Sequence, residues 1–510
     1  MKSANASKEL YRQLRAMPWE QLWKEEVAQF ERASPRERFE RVSVVRAVGV
    51  VFLESGPAAQ RDEVRQWLRK LLQDPEEKIR RYAMAALPKI GAGASDEAEL
   101  LTLLRSDTGD RERKFLGQTL DKIGGEATLK ALGGTGALGL QTEQKVKASM
   151  ARSKSPSTIV MNREITDFRD LHIHLRGRAG LEGIVREEMA AQGKFSVLDI
   201  QPGLVAIAAK APFTLADIFA LRCFGTVGFI LGHVKSAEES ETTEALASVI
   251  ASALSLRLLS TLTQGAIRYR LDFVAKGHQR AAVREVANRA YALCPQILND
   301  AREAPWAIDV HPATDGESVE LRPRISPDPR HAYRLDDVPA ASHPPLAACM
   351  ARLAGRQENE RVWDPFCGSG LELIERALLG GVGRVLGTDL SEQAIAIARR
   401  NFAAAQPGFT GARFECADFR DFAREENLAD LTLIISNPPL GRRVPIRNLR
   451  GLFEDIFAVA AKVLAPGGRL VFTNPFKMES PQPSLKLQSR QTVDLGGFEC
   501  RLELYRKVAR

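Results

Sequence analysis

The sequence predicts a multidomain chain in three parts: N-terminal all-α helical repeats over 1–150, an α+β middle over 165–334 reached through a linker at 151–164, and a C-terminal doubly wound α/β domain over 335–510. Three observations predict it. The stretches LLQDPEEKIRRYAMAALPKIG (71–91) and LRSDTGDRERKFLGQTLDKIG (104–124) align at an offset of 33 residues, the mark of helical units that stack. From 165 onward, short β-branched runs alternate with helical periodicity. Beyond 360, successive apolar runs each end in an acidic residue or in Asn-Pro-Pro, and parallel strands of that kind open on a single crevice. The length of 510 residues agrees, because one core stops growing at about 250–300 residues.

Composition narrows the function classes. With 44% hydrophobic and 27% charged residues the chain reads as globular, and no apolar run approaches the ~20 residues of a membrane helix. The opening MKSANASKELYRQL lacks the apolar core of a signal peptide, so a cytoplasmic address without membrane attachment is expected. The cysteines (Cys223, Cys294, Cys349, Cys367, Cys416, Cys500) form no Cys-x-x-Cys pair, which argues against a zinc site or a disulfide framework and for free thiols. A formal charge of +8 has the sign of a nucleic-acid partner but is a weak signal alone.

Within the repeat, Asp74 and Asp107 stand where helix N-caps are expected, and Gly91 and Gly124 stand at the helix stops. Between them Arg80/Arg113, Tyr82/Phe115, Leu87/Leu120 and Ile90/Ile123 correspond. The pattern resembles short HEAT-type repeats, with a plain helical bundle as the alternative. Such a module binds or spaces more often than it catalyses, so a protein partner is expected for it. GGTGALG (133–139) and ARSKSPST (151–158) read as the exit from this domain.

The middle region reads as strand DLHIHLRG, helix LEGIVREEMAAQG, strands in SVLDIQPGLVAIAA, a helix through ALRCFG and strand VGFILGHV. Strand AIRYRLDFVAKG, helix HQRAAVREVANRAYALCP and strands WAIDVHP and SVELRPRIS follow. Gly180-Leu181-Glu182-Gly183, Leu221-Arg222 and RYRLDFVAKGHQR give this region a resemblance to the THUMP region of RNA-modifying enzymes. Chemically, Arg268, Arg270, Lys276, His278, Arg280 and Arg284 can meet phosphates, or can form an ordinary solvated basic face. His172 and His174 alternate on a strand and read as strand residues, not metal ligands.

The C-terminal domain carries the chemistry. Val362–Gly370, VWDPFCGSG, is a strand running into a glycine-rich turn before the helical LELIERALLG. Its glycines let backbone approach a ligand, and Asp364 at the strand end can bind a cation or hydroxyl. The next strand ends in Asp389, 25 residues on, where a carboxylate can hold ribose hydroxyls, with Leu390 beside it. A third ends in Asp418-Phe419, placed to accept from an adenine amine, and a fourth in Asn437-Pro438-Pro439-Leu440. The third glycine of the dinucleotide fingerprint is missing, which disfavours a dehydrogenase.

These signals resemble the class I S-adenosylmethionine-dependent methyltransferases, and DPFCGSG with NPPxG is similar to the RNA methyltransferases that carry a THUMP domain and methylate guanosine N2. The lead-in YRLDDVPAASHPPLAACMARLAG is similar to that group too. The resemblance implies a Rossmann-like fold, S-adenosyl-L-methionine bound by Asp364, Phe366, Cys367, Gly368, Gly370, Asp389, Leu390, Asp418 and Phe419, and catalysis at Asn437, Pro438, Pro439 and Leu440. Read chemically, an exocyclic amine is a weak nucleophile that must be aimed; the Asn437 side-chain oxygen and the Pro438 carbonyl can accept its two hydrogens, and consecutive prolines restrict where that carbonyl points. Leu440 departs from the family's aromatic at that position, leaving Phe366 or Phe476 to stack on a base, or a lower affinity that depends more on the RNA-binding domains, or an inactive relative. Arg442 and Arg443, with Arg268, Arg270 and Lys276, are the expected RNA contacts. The implied substrate is structured RNA, tRNA first and ribosomal RNA second. A protein or DNA amine and a catalytically inactive RNA-binding scaffold are the readings against it, and the oligomeric state has no handle in the sequence.

Overall fold

The computed structural model describes residues 2–105, 109–135, 139–235, 238–275, 277, 279–339, 341–409, 411–426, 428–441 and 446–509. Two units divide the chain: Met1–Ile159 with Leu231–Val319, and Val160–Ile230 with Glu320–Arg510. The residues read from sequence as one middle region are therefore shared between them.

In the first unit, apolar residues at helical spacing build stacked helix pairs. Helices Ser43–Ser55, Glu77–Ala86, Asp110–Ile123 and Gly139–Lys154 pack each against the next, with Arg61–Leu71, Ala94–Arg105 and Glu126–Thr135 as their partners. Leu87 and Leu120, equivalent in the repeat, are both fully buried, and one core runs from Leu14 to Leu120. Buried acids are matched by arginines, as a carboxylate out of water requires: Asp74 meets Arg38 at 3.0 Å, and Asp96 meets Arg65 and Arg69 at 2.6 Å each. Glu112 takes Arg80 at 2.7 Å, a contact that puts the repeated arginine to use.

Three details differ from the expectation. Asp74 does not cap helix Glu77–Ala86, whose N-cap is Glu76; its carboxylate instead accepts the Glu76 N–H at 2.9 Å and fixes the turn before the helix. Asp107 lies outside the described residues. Gly91 is left-handed (φ +80°) whereas Gly124 is extended (φ −62°), so the two stops are not equivalent. Helix Glu126–Thr135 runs into the glycine stretch and helix Gly139–Lys154 runs past 151, because packing against neighbours outweighs the weak helix propensity of those residues.

The rest of this unit adds strand Arg268–Phe273, parallel to Leu298–Asn299 and Trp306–Ala313, and helices Glu239–Ile250, Ala253–Leu262 and Arg280–Leu293. Among the described residues no single helix is long and apolar enough to cross a membrane; the bent pair 239–250 and 253–262 passes that test by composition only.

The second unit contains the Rossmann-like sheet. Its strands, in chain order, are β1 (Glu360–Asp364), β2 (Val382–Asp389), β3 (Ala412–Cys416), β4 (Leu431–Ser436), β5 (Leu464–Asn474), β6 (Leu485–Asp494) and β7 (Glu499–Lys507). They lie in the order β3-β2-β1-β4-β5-β7-β6, with β1 to β5 parallel and β7 antiparallel to both neighbours. Val362, Trp363, Leu433 and Ile434 are buried, the apolar run expected of central parallel strands. The order reverses between β1 and β4, which sets the crevice at the carboxyl ends of those strands.

The 160–230 segment pairs His172–Arg176 and Phe195–Gln201 antiparallel to Leu204–Ala209, with helix Glu182–Gln192 alongside. Its short helix ends at Phe219, before Leu221-Arg222, which frees Arg222 to reach helix Leu371–Leu378. Arg222 meets Glu375 at 2.7 Å on helix Leu371–Leu378, and Glu188 takes Arg352 at 3.0 Å. Gly180 (φ +97°) allows the closest approach: a Cβ there would lie 1.8 Å from the Thr492 carbonyl of β6. His174 and Arg176 both bond Glu320; burial would raise that carboxyl, but the two donors bring it down to about 2.

Arg222→Ala leaves Glu375 buried without its counter-charge, so unfolding free energy at pH 7 is expected to fall by about 3–5 kcal/mol in urea titration. Burial opposes the Glu375 charge, yet Arg222, His331 and Tyr333 more than restore it, and its folded pKa lies below the ordinary value. The gap between wild type and variant is therefore full above the unfolded glutamate value of about 4.3 and shrinks as pH falls through the folded one. An unchanged midpoint at pH 7 would contradict this docking role.

Candidate functional site

The site is built at four strand ends and the two helices that follow β1 and precede it. At the end of β1, Asp364 is fully buried; its Oδ1 accepts the Phe366 N–H at 3.0 Å and the Ser436 hydroxyl at 2.6 Å, tying β1 to β4. Among the described residues its Oδ2 is buried without a hydrogen-bond partner. Burial and the neighbouring Glu372 push this carboxyl well above its ordinary range, a condition that an incoming cation would relieve. Gly370 (φ +86°) closes the turn, donating its N–H to the Cys367 carbonyl at 2.7 Å. Cys367 is buried in the turn, and burial with Asp364 and Asp389 pushes its thiol up, which disfavours the thiolate.

At the end of β2, Asp389 faces that turn. One oxygen accepts the Gly368 N–H and the other the Ser391 N–H, both at 3.0 Å, so the carboxylate is fixed while each oxygen keeps a second lone pair. Leu390 beside it is 74% exposed, an apolar surface that a flat ring could cover. After β3, Asp418 caps helix Phe419–Glu425: Oδ1 accepts the Arg420 N–H at 2.8 Å and Oδ2 the Arg420 guanidinium at 2.9 Å. Phe419 is buried and its ring lies 4.9 Å from that of half-buried Phe366. Glycine turn, ribose-type carboxylate, apolar wall and orphaned acid together fit S-adenosyl-L-methionine, whose ammonium and hydroxyls are donors.

At the end of β4, Asn437 is held from both sides. The Thr473 hydroxyl donates to its Oδ1 at 2.5 Å, and its Nδ2 donates to Ser342 Oγ at 2.8 Å. Ser342 in turn donates to Glu372 on helix Leu371–Leu378. Burial pushes the Glu372 carboxyl up to about 7. Pro438 is buried and Pro439 half-buried; among the described residues the Pro438 carbonyl accepts no backbone hydrogen bond. Leu440, Phe366, Leu449 and Phe476 all pack against one buried apolar cluster. Phe476, two residues past the end of β5, is half-buried, and its ring lies 5.4 Å from that of Phe453. Sequence reasoning missed Ser342, Glu372, Ser436 and Thr473. One signal was available: Glu372 is an acid set between Leu371 and Leu373 at a helix start.

The expected RNA contacts divide. Arg442, Arg443, Lys276 and His278 lie outside the described residues. Arg268 is a correction: it is 2% exposed and bonds Asp300 at 2.9 Å and Ser157 at 2.8 Å, so it is a structural residue of its unit and cannot meet phosphate. Arg270 is half-buried beside Asp272 at 2.8 Å. It lines a cavity of about 480 Å³ together with Gln144, Lys145, Arg280, Arg284 and Asn288. Arg280 and Arg284 are exposed on one face of helix Arg280–Leu293, and no acid lies in that helix's first turn. Among the described residues no His, Cys, Asp and Glu cluster has metal-binding geometry.

Residues 331–482 match the UPF0020 family, described as RMKL-like, methyltransferase domain. The tRNA (guanine(6)-N2)-methyltransferase of Thermus thermophilus is 30% identical over 231 residues, covering 44% of this chain and 66% of that protein. The tRNA (guanine(10)-N2)-dimethyltransferase of Methanothermobacter thermautotrophicus is 30% identical over 143 residues, covering 28% of this chain and 40% of that protein. The chain thus spans less than two thirds of the length of either. The crystal structure of TrmN from Thermus thermophilus superposes with a TM-score of 0.53 at 22% identity, covering 66% of this chain and all of that one, a likeness of fold.

Asp418 serves its helix whatever ligand it meets. Asp418→Ala is expected to cost about 1 kcal/mol in urea unfolding, while Asp418→Asn, an equally good cap, stays within about 0.5 kcal/mol of wild type. Equal stability of wild type and the alanine variant would remove the capping role.

Proposed function

We propose that this chain is an S-adenosylmethionine-dependent RNA methyltransferase acting on the exocyclic N2 of a guanosine, with tRNA as the substrate. The observation that carries the reading is Asn437 at the end of β4, its amide fixed by Thr473 and Ser342 beside a turn that fits the cofactor. Relatives named as tRNA guanine-N2 methyltransferases support both chemistry and substrate.

When bound, S-adenosylmethionine supplies an activated methyl group on a sulfonium, so the protein needs no nucleophile of its own. Asp389 would hold the ribose, Asp364 the ammonium and Asp418 the adenine amine, with Leu390 and Phe366 as apolar walls. Asn437 Oδ1 uses one lone pair on Thr473 and offers the second to an amine N–H; the Pro438 carbonyl offers another acceptor. Two acceptors orient the amine nitrogen's lone pair along the transfer line, the contribution expected of positioning. Phe476 is the aromatic at this strand edge that can take the stacking role Leu440 lacks.

RNA would also meet the cavity lined by Lys145, Arg270, Arg280 and Arg284, where side chains of the helical domain and of helix Arg280–Leu293 converge. In this reading the N-terminal helices are HEAT-like repeats that extend the RNA surface or take a protein partner, the middle residues are a THUMP-like region, and the protein works in the cytoplasm.

Incubation with radiolabelled S-adenosylmethionine and undermethylated total RNA, followed by nucleoside analysis of resolved bands, is expected to place label in N2-methylguanosine of tRNA. Label in ribosomal RNA would change the substrate and keep the chemistry; label only in protein or DNA would overturn the RNA reading. Arg280→Gln with Arg284→Gln is expected to weaken tRNA binding and to lower its salt slope by about 2, with cofactor affinity unchanged. An unaltered slope would remove this cavity from the RNA surface.

A further inference from the structure

We propose that Ser342 and Thr473, with Glu372 behind Ser342, are positioning residues that lock the Asn437 amide with its oxygen turned to the methyl-accepting amine. The inference rests on the functional reading above and deepens it by naming what gives that asparagine its polarity.

A primary amide is nearly symmetric in shape, so an unrestrained asparagine can present either its oxygen or its NH2 group. Only the oxygen is useful here, because an NH2 group would face the N–H groups of the substrate amine. The hydrogen bond to Ser342 removes the ambiguity, and the one from Thr473 agrees with it. The single Ser342 hydroxyl proton is donated to Glu372. Ser342 Oγ is then left as an acceptor, and the Asn437 Nδ2 donates to it at 2.8 Å. At the other end the Thr473 hydroxyl donates to Asn437 Oδ1 at 2.5 Å. The Ser342 end fixes the orientation, and the Thr473 hydroxyl, able to donate or accept, donates in keeping with it.

The four residues come from four separate elements of one unit. Ser342 precedes helix Pro344–Ala354, Glu372 opens helix Leu371–Leu378, Thr473 is near the end of β5, and Asn437 follows β4. Glu372 is 3% exposed and Thr473 1% exposed, so water does not substitute for either. A buried carboxyl is costly to keep in an apolar helix face, and burial of Glu372 with Ser342 as its hydrogen-bond partner has an explanation if it sets the direction of this chain. Asp364, the neighbouring buried acid, is bonded to Ser436 and Phe366 and takes no part in it.

The test is a set of variants in the tRNA methyl-transfer assay. Ser342→Ala, Glu372→Leu and Thr473→Val each remove one link, and each is expected to lower kcat about 10–100-fold while KM for tRNA and the Kd of S-adenosylmethionine stay within about twofold. Thr473→Ser keeps the donor and Glu372→Gln keeps an acceptor, so both are expected to recover most of the rate; a purely structural role would not split this way. Wild-type kcat in Ser342→Ala and Thr473→Val, or a rise in KM and Kd in place of the fall in kcat, overturns the proposal. If the wild-type chain methylates no nucleic acid, it is the functional reading that fails, and crystal structures of Ser342→Ala and Thr473→Val then decide the relay. An Asn437 amide rotated from its wild-type orientation supports it, and an unmoved amide overturns it.

Discussion

The site depends on β1 being hydrogen-bonded in parallel along both edges, to β2 on one side and β4 on the other. Parallel pairing aligns the carboxyl ends of these strands, and the reversal of sheet order at β1 opens a crevice there. The polar groups that end each strand are thereby brought together from positions tens of residues apart. Ser436 bonding Asp364 makes the junction literal, since it joins the ends of the two strands on either side of the crevice. A bulky residue in place of Gly387 on β2 would meet the Phe414 ring of β3 at 2.6 Å from its Cβ, which shows how closely the neighbouring strands are fitted.

Burial then sets the electrostatics. Asp364 and Glu372 lie behind the crevice, both with raised pKa values, the first because burial and a neighbouring acid disfavour its charge and the second mainly through burial. A cationic ligand beside Asp364 would favour its charged form, while Asp389, fixed by two backbone N–H groups, keeps the geometry of a hydroxyl acceptor. Asn437 sits at the edge of this field with its amide tied down. The arrangement contributes orientation more than reactivity, which suits a reaction whose leaving group is already activated.

How much was legible in sequence follows from how local each signal is. Asp364, Asp389, Asp418 and Asn437 could be read because each ends an apolar run, and the parallel sheet converts that one-dimensional rule into proximity. The repeat at 71–124 was legible for the same reason, since stacked helices repeat their buried positions. Arg268 was misread because its partners, Asp300 and Ser157, are 32 and 111 residues away, and nothing near it marks a buried arginine. Ser342 and Thr473 were invisible on the same grounds, lying 95 and 36 residues from Asn437. Asp74 was placed on the right turn with the wrong role: its carboxylate reaches the Glu76 N–H and Arg38 before it could reach the helix end. Helix Glu126–Thr135 persists through two glycines because its neighbours hold it.

The central claim is that Asn437 aims an amine at a cofactor bound by other residues. Its most direct test is single-turnover methyl transfer from bound S-adenosylmethionine to undermethylated tRNA by wild type and Asn437→Ala, with cofactor affinity measured by calorimetry on the same preparations. The account predicts transfer slower by about 100-fold or more with the cofactor Kd within about twofold. Transfer at the wild-type rate by Asn437→Ala would contradict it.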